Sequence, residues 1–164
     1  MKMCGIYDVK TTQNKACRSG LVPVLFSGTL RYNLDPSGIY TDQQCFDALD
    51  AVQLKHRVCN HPDGLYLSVA EYGSNFSVGE CQLICIARAI LKKSKILLID
   101  EATANVDQQT DALIQAAMSE RFCDRTILTI AHRLNTIAHS DRILVMERGR
   151  IANFDIPKNI LDQQ

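Results

Sequence analysis

Apolar residues in this chain follow two periods, one typical of buried strands and one typical of helices. Positions 96–99 are four consecutive apolar residues with isoleucine at both ends, and positions 125–130 form a second run with strand character. Apolar residues at helical spacing follow Thr41 and Ser77. Alternation of strands and helices predicts a parallel sheet, so we expect an α/β fold.

The pattern predicts one domain with two lobes, which begins after residues 1–22. Thr41 with Gln44 and Ser77 with Glu80 are capping boxes, and each predicts the start of a helix. The helical lobe is expected over about 41–92 and the sheet lobe over about 93–157, within a domain of 23–164. In the sheet lobe the predicted elements are strand 95–99, helix 108–120 capped by Asp107, strand 125–130, and an antiparallel edge hairpin of strands 142–146 and 151–154.

Two adjacent carboxylates, Asp100 and Glu101, follow the run at 96–99. Ligands of open α/β sheets bind at the carboxyl ends of the strands. Asp100 is therefore placed to hold Mg²⁺ and Glu101 to act on a water molecule. The simpler interpretation is a strand that ends in a solvated acidic turn.

Two further positions are candidates for phosphate contacts. The helix that starts after Ser77 has free N–H groups at its end, with Gly79 beside them, and such an end binds phosphate. The capping box alone is also a sufficient structural reason for Ser77 and Glu80. His132 follows the second strand at the same edge, where it could reach a terminal phosphate oxygen, although a lone histidine is more often structural or solvated.

Composition narrows the class of protein. The chain has 164 residues, 46% apolar and 22% charged, and a formal net charge of +0. Zero net charge gives no electrostatic reason to expect nucleic acid or an anionic membrane as a partner. No apolar run reaches the roughly 18 residues of a membrane span, so we expect a soluble chain. The 7 cysteines include no CxxC pair, which favours reduced thiols.

Three segments together resemble the ATP-binding cassette of membrane transporters: SVGECQ at 77–82, LLIDEATANVD at 97–107 and TIAHR at 129–133. In that family they are the signature motif, Walker B with its D-loop, and the switch histidine. LFSGTLRYNLDP at 25–36 is similar to the second cassette of the C subfamily, the multidrug-resistance-associated exporters. The resemblance implies a partial P-loop NTPase (RecA-like) sheet lobe with an inserted α-helical lobe.

The resemblance also implies roles for single residues. Asp100 would hold Mg²⁺, Glu101 would be the catalytic base, and His132 would contact the γ-phosphate of ATP.

Five further residues would act between two cassettes. Ser77, Val78, Gly79 and Glu80 would contact ATP held by the other cassette, and Asp107 would communicate across the dimer. Val78 stands where the signature usually has glycine, and Glu80 where it usually has glutamine. Glu80 either adds a negative charge near the phosphates or, as the third residue of the helix, points back to the cap.

The family's phosphate-binding loop, GxxxxGK(S/T), does not occur in this sequence, and Leu21 stands where the family has glutamine. Residues 1–22 fit the family pattern poorly, so the resemblance implies a divergent amino-terminal segment. We therefore expect an amino-terminally truncated second nucleotide-binding domain that is inactive alone. Without the strand of that loop, we expect the strand at 96–99 to have an apolar flank and unpaired edge groups.

The resulting hypothesis is part of the nucleotide-binding domain of an ATP-driven exporter, at the cytoplasmic face of a membrane. Its cofactors would be ATP and Mg²⁺, and its partners a second cassette in a head-to-tail dimer and the transmembrane domains of the exporter. The alternative is a non-hydrolytic interaction module that docks on an intact cassette through its signature face. A chromosome-maintenance ATPase is disfavoured, because no heptad coiled coil precedes the signature.

Overall fold

The structure is a computed structural model that describes residues 2–3, 16–19, 24–100, 106–130 and 140–162. In chain order its elements are β1 (Lys2–Met3), β2 (Ala16–Ser19), β3 (Gly28–Thr29), α1 (Leu30–Leu34), α2 (Asp42–Ala51), α3 (Lys55–Cys59), β4 (Ser68–Val69), α4 (Val78–Lys92), β5 (Ile96–Asp100), α5 (Gln108–Arg121), β6 (Thr126–Ile130), β7 (Ile143–Glu147), β8 (Arg150–Asp155) and α6 (Pro157–Leu161). Two short 3₁₀ turns, Gly64–Tyr66 and Glu71–Gly73, flank β4.

A four-stranded sheet forms the centre of the sheet lobe, in the order β1, β6, β5, β2. All three neighbouring pairs run parallel, which confirms the predicted parallel sheet. Helix α5 connects β5 to β6, as expected for a crossover between parallel strands.

The expected unpaired edge on the strand at 96–99 is wrong. Strand β5 pairs with β2 on one side, where Ala16 is level with Ile96 and Ser19 with Ile99, and with β6 on the other. The mixed residues of 16–19 carry no strand period, yet their backbone groups complete a parallel ladder, because such pairing requires only N–H and C=O groups. Strand β5 is thus an interior strand.

Local sequence signals set the starts of the two longer helices of the helical lobe. Both predicted capping boxes are formed, at Thr41 with Gln44 and at Ser77 with Glu80, and they begin α2 and α4. Helix α4 ends at Lys92, and the following residue, Lys93, has a left-handed φ of 49° that stops the helix. Helix α4 contacts α1 and α2 on one side and β2 and α5 on the other, so it joins the two lobes.

A single apolar core extends through both lobes. Its most buried large side chains include Leu49, Ile84, Phe122 and Ile127. The middle of α4 is apolar on nearly every face because it packs against both lobes.

A polar cluster of the buried Asn33 and the partly buried Arg88 joins the segment before β3 to α4. Asn33 is fully buried; its side chain accepts from the Phe26 amide at 2.8 Å and donates to the carbonyls of Phe26 at 2.7 Å and Thr29 at 3.0 Å. Arg88 donates to Asn33 Oδ1 at 2.8 Å, to the Asn33 carbonyl, and to the Val24 carbonyl at 2.8 Å. These hydrogen bonds therefore couple the position of residues 24–26 to that of α4.

The predicted hairpin is present and antiparallel. Strands β7 and β8 are joined at Arg148 and Gly149, whose φ values of 50° and 75° fit the tight turn that right-twisted strands favour. Among the described residues the hairpin forms a two-stranded sheet of its own, separate from the parallel sheet.

Candidate functional site

The first turn of α4 carries four of the predicted site residues. Ser77 Oγ accepts from the Glu80 amide at 3.1 Å, and Glu80 Oε2 accepts from the Ser77 amide at 2.8 Å. The Cys81 amide donates to the Ser77 carbonyl. The amides of Val78 and Gly79 come before the first intrahelical bond, and no other described group accepts from them. They are the donors that this helix end can offer an anion.

Gly79 lies against the first turn of α5. A Cβ atom at Gly79 would lie 2.6 Å from Thr110 Cγ2, so only glycine permits this close approach. Thr110 is the third residue of α5, which begins after its N-cap Asp107. The contact therefore brings the amino-terminal ends of α4 and α5, and their positive dipole ends, together.

Asp107 caps α5, as predicted. The Thr110 amide donates to Asp107 Oδ1 at 2.9 Å. This bond, joined by one from the Thr110 hydroxyl, lowers the pKa of the exposed Asp107 carboxyl. Because the pKa is lowered in the folded state, the cap stabilises the fold at neutral pH and is lost as the pH falls below about 4. Thr110 thus bonds Asp107 and covers Gly79 at once.

Glu80 is held on the side of α4 by two partners. One carboxylate oxygen accepts from the Ser77 amide, and the other is ion-paired with Arg57 of α3. The Arg57 guanidinium lies over the Phe76 ring, 5.1 Å from its centroid. Of the two orientations left open by the sequence, Glu80 adopts the one directed back to the cap.

The carboxyl ends of β2, β5 and β6 lie level at one edge of the sheet. Asp100 is the last residue of β5 and pairs in register with Ile130, the last of β6, while Ser19 of β2 is level with Ile99. Glu101 and His132, the predicted base and phosphate contact, follow these two strand ends but lie outside the described residues. The side chain of Asp100 is likewise not described.

The residue types at these two places suit the predicted cofactors. Carboxylate oxygen, which Asp100 would provide, is a preferred Mg²⁺ ligand. Backbone amides at a helix amino terminus, as at Val78 and Gly79, suit a phosphate oxygen. By residue type these two places match Mg²⁺ and the phosphate end of a nucleotide, and within the described ranges no three His, Cys, Asp or Glu side chains are grouped as a metal site.

Gly79→Ala is expected to destabilise the chain by about 1–2 kcal/mol in chemical denaturation. Forced overpacking costs about 1–3 kcal/mol, and the greater helix propensity of alanine offsets up to about 1 kcal/mol of that. The β-branched Thr110 has few other rotamers with which to move its methyl group aside. Thr110→Ser removes that methyl group and keeps the hydroxyl. Gly79→Ala should therefore lower the free energy of unfolding much less in the Thr110→Ser variant than in the wild-type chain. An equal loss in both would contradict this explanation.

Sequence analysis missed Arg57, Thr110 and Arg88. Arg57 and Arg88 are charged residues on helices, a pattern that ordinarily indicates a solvated face. No sequence signal indicates that Thr110 faces Gly79, because helix-to-helix contacts are not encoded by local spacing.

Known proteins are similar to most of this chain. The family profile described as "ABC transporter" matches residues 8–104, more than half of the chain, and begins inside the segment predicted to be divergent. The structure matches that of a bacterial Atm1-family ABC exporter with ATP bound, at a TM-score of 0.82 and 33% identity, covering 91% of this chain and 26% of that one.

Curated relatives extend the match over nearly all of the sequence. Human ATP-binding cassette sub-family C member 4 is 54% identical over 142 residues, which is 87% of this chain and 11% of that protein. The vacuolar heme ABC transmembrane exporter abc3 of Schizosaccharomyces pombe is 45% identical over 163 residues, 98% of this chain and 11% of that protein. The chain thus spans about a tenth of the length of these relatives. With the profile match and the α/β fold, these likenesses establish that the chain belongs to the ABC transporter family and is similar to the nucleotide-binding domains of its multidrug-resistance-associated members.

Proposed function

We propose that this chain is part of the nucleotide-binding domain of an ATP-driven membrane exporter, in which ATP binding and hydrolysis are coupled to substrate efflux. The observation that carries the proposal is the contact of Gly79 with Thr110, which unites the signature helix end with the helix capped by Asp107. A phosphate held there would meet backbone amides and two helix dipoles. Ser77, Val78, Gly79 and Asp107 would then face ATP held by a second cassette.

The acidic edge of the sheet would supply the chemistry. Asp100 would hold Mg²⁺, which when bound neutralises charge that develops on the phosphates. Glu101 would take the proton of the attacking water, and His132 would donate to a γ-phosphate oxygen. The support from the described residues is the level alignment of β5 and β6, from whose ends both segments emerge.

The proposed partners are a second ATP-binding cassette, in head-to-tail arrangement, and the transmembrane domains of the exporter. No helix within the described ranges has both the length and the apolar character that crossing a bilayer requires. A place at the cytoplasmic face of a membrane would therefore follow from docking on those partner domains. Zero net charge gives no support for nucleic acid as a partner.

A second candidate is a non-hydrolytic module that docks on an intact cassette. Residues 1–164 contain no GxxxxGK(S/T) loop, whose amides and lysine grip the β- and γ-phosphates, so this candidate assigns the chain only the signature end and not a complete site. Both candidates use the signature end of α4. They differ in the role of Glu101, which is the catalytic base in the first candidate and has no catalytic role in a non-hydrolytic module.

The chain alone is expected to bind Mg-ATP more weakly than micromolar and to hydrolyse none. Without the loop's donors, the carboxylates at the sheet edge would only repel the phosphates. Isothermal titration of Mg-ATP into the purified chain measures this, with magnesium-free ATP as the control. Micromolar affinity would show that the chain grips nucleotide through residues other than those assigned here.

A further inference from the structure

The signature of this chain contains a carboxylate where an anionic ligand is proposed to bind. Glu80 is the third residue of α4, directly after Val78 and Gly79, whose amides are the available donors. A free carboxylate at this position would oppose a phosphate, since like charges a few ångströms apart repel.

The structure neutralises this charge from a separate element. Arg57 comes from α3, on which Val58 is buried in the helical-lobe core, and its guanidinium is ion-paired with Glu80. The guanidinium also lies over the Phe76 ring, with its carbon 5.1 Å from the ring centroid. The side chain of Glu80 is 20% exposed and that of Arg57 is 47% exposed, so the pair lies at the surface where a ligand could approach.

The two oxygens of Glu80 have different partners. The Ser77 amide occupies one and Arg57 the other. Both oxygens of the carboxylate are thereby engaged, one at the helix cap and one by a cation. Glutamine could make the same bond to Ser77 without any charge, so a cation beside position 80 balances a charge that only the glutamate brings.

We propose that Arg57 is a positioning residue that keeps Glu80 neutralised and turned back onto the helix cap, so that this acidic signature still accepts the terminal phosphate of a nucleotide. The inference rests on the proposed function of the signature end. Arg57, which lies outside every motif named above, would thus balance the charge that Glu80 adds to the signature.

The test uses the complete exporter that contains this chain, with the KM for Mg-ATP and the kcat of ATP hydrolysis as readouts. Arg57→Ala is expected to raise KM by roughly three- to tenfold, the effect of exposing one partly solvated charge to a phosphate. The kcat should stay within about twofold, because the base is untouched. Lys55→Ala is the matched control and should leave KM unchanged, because Lys55 lies on the same helix and is paired, among the described residues, with the exposed Asp50 at 3.9 Å.

A double variant distinguishes the effect of the Glu80 charge from the effect of lost packing on Phe76. Both Arg57→Ala and the double variant Arg57→Ala/Glu80→Gln lose the stacking on Phe76, but only the single variant exposes a carboxylate. The double variant should therefore return to the KM of Glu80→Gln alone, and Arg57→Lys should stay near wild type. A double variant that remains as impaired as Arg57→Ala, or an Arg57→Ala variant equal to wild type, would overturn the proposal. A wild-type exporter without ATPase activity would instead overturn the proposed function.

Discussion

Glu101→Gln, in the complete exporter, is expected to lower the ATPase rate by about 10²–10⁴-fold while leaving Mg-ATP affinity largely intact. The amide keeps the shape of the carboxylate but cannot take a proton from water. The relevant measurements are steady-state ATP hydrolysis and nucleotide binding on the same preparation. The level ends of β5 and β6 support this position for the base, since Glu101 follows directly after Asp100.

Asp100→Asn is the matched comparison, because it changes the neighbouring carboxylate in the same way. It should weaken Mg²⁺-dependent nucleotide binding as well as turnover, since a neutral amide is a poorer Mg²⁺ ligand than a carboxylate. If Glu101→Gln keeps more than about a tenth of the wild-type rate, the loss is too small for a general base. The acidic pair would then be a solvated strand end.

Asn33→Ala is expected to lower the free energy of unfolding by about 2–4 kcal/mol, since it leaves several partly buried polar groups unpaired. The lost partners are the amide and carbonyl of Phe26, the carbonyl of Thr29 and a guanidinium nitrogen of Arg88. Such a loss is a large share of the roughly 5–15 kcal/mol that stabilises a domain. Urea denaturation of the purified chain, followed by circular dichroism, measures it.

Asn75→Ala is the control for this substitution. Asn75 also bonds two backbone groups, accepting from the Ala70 amide at 3.0 Å and donating to the Ser68 carbonyl at 2.8 Å, but it is exposed, so water can replace both bonds. Its loss should cost about 1 kcal/mol or less. Equal losses for the two asparagines would show that burial of the Asn33 cluster is not what makes it important.

The expected unpaired edge of β5 illustrates a limit of reasoning from pattern. The prediction assumed that no other segment would take the place of the strand of the missing phosphate-binding loop, whereas Ala16–Ser19 pairs with β5 through its backbone. Side-chain period decides which face of a strand is buried. It does not decide whether a neighbouring segment donates to its edge.

The sequence by itself determined the features that arise within a few residues along the chain. The capping boxes at Thr41 and Ser77, the cap at Asp107 and the turn of the hairpin were predicted correctly. Each depends on bonds between close neighbours in the sequence, which any chain with those residues can form. The order of the family motifs belongs here too, because it can be recognised without a structure.

The tertiary structure alone decided which distant residues meet. Arg88 bonds Asn33 across 55 residues, Arg57 of α3 neutralises Glu80 of α4, and Thr110 of α5 covers Gly79. Such pairs depend on the packing of other elements on α4, since the loss of chain entropy on closing a long loop must be offset by the buried core. Residue type and spacing therefore predict the signature helix and its cap, whereas the ion pair between its carboxylate and Arg57 follows from the packed fold.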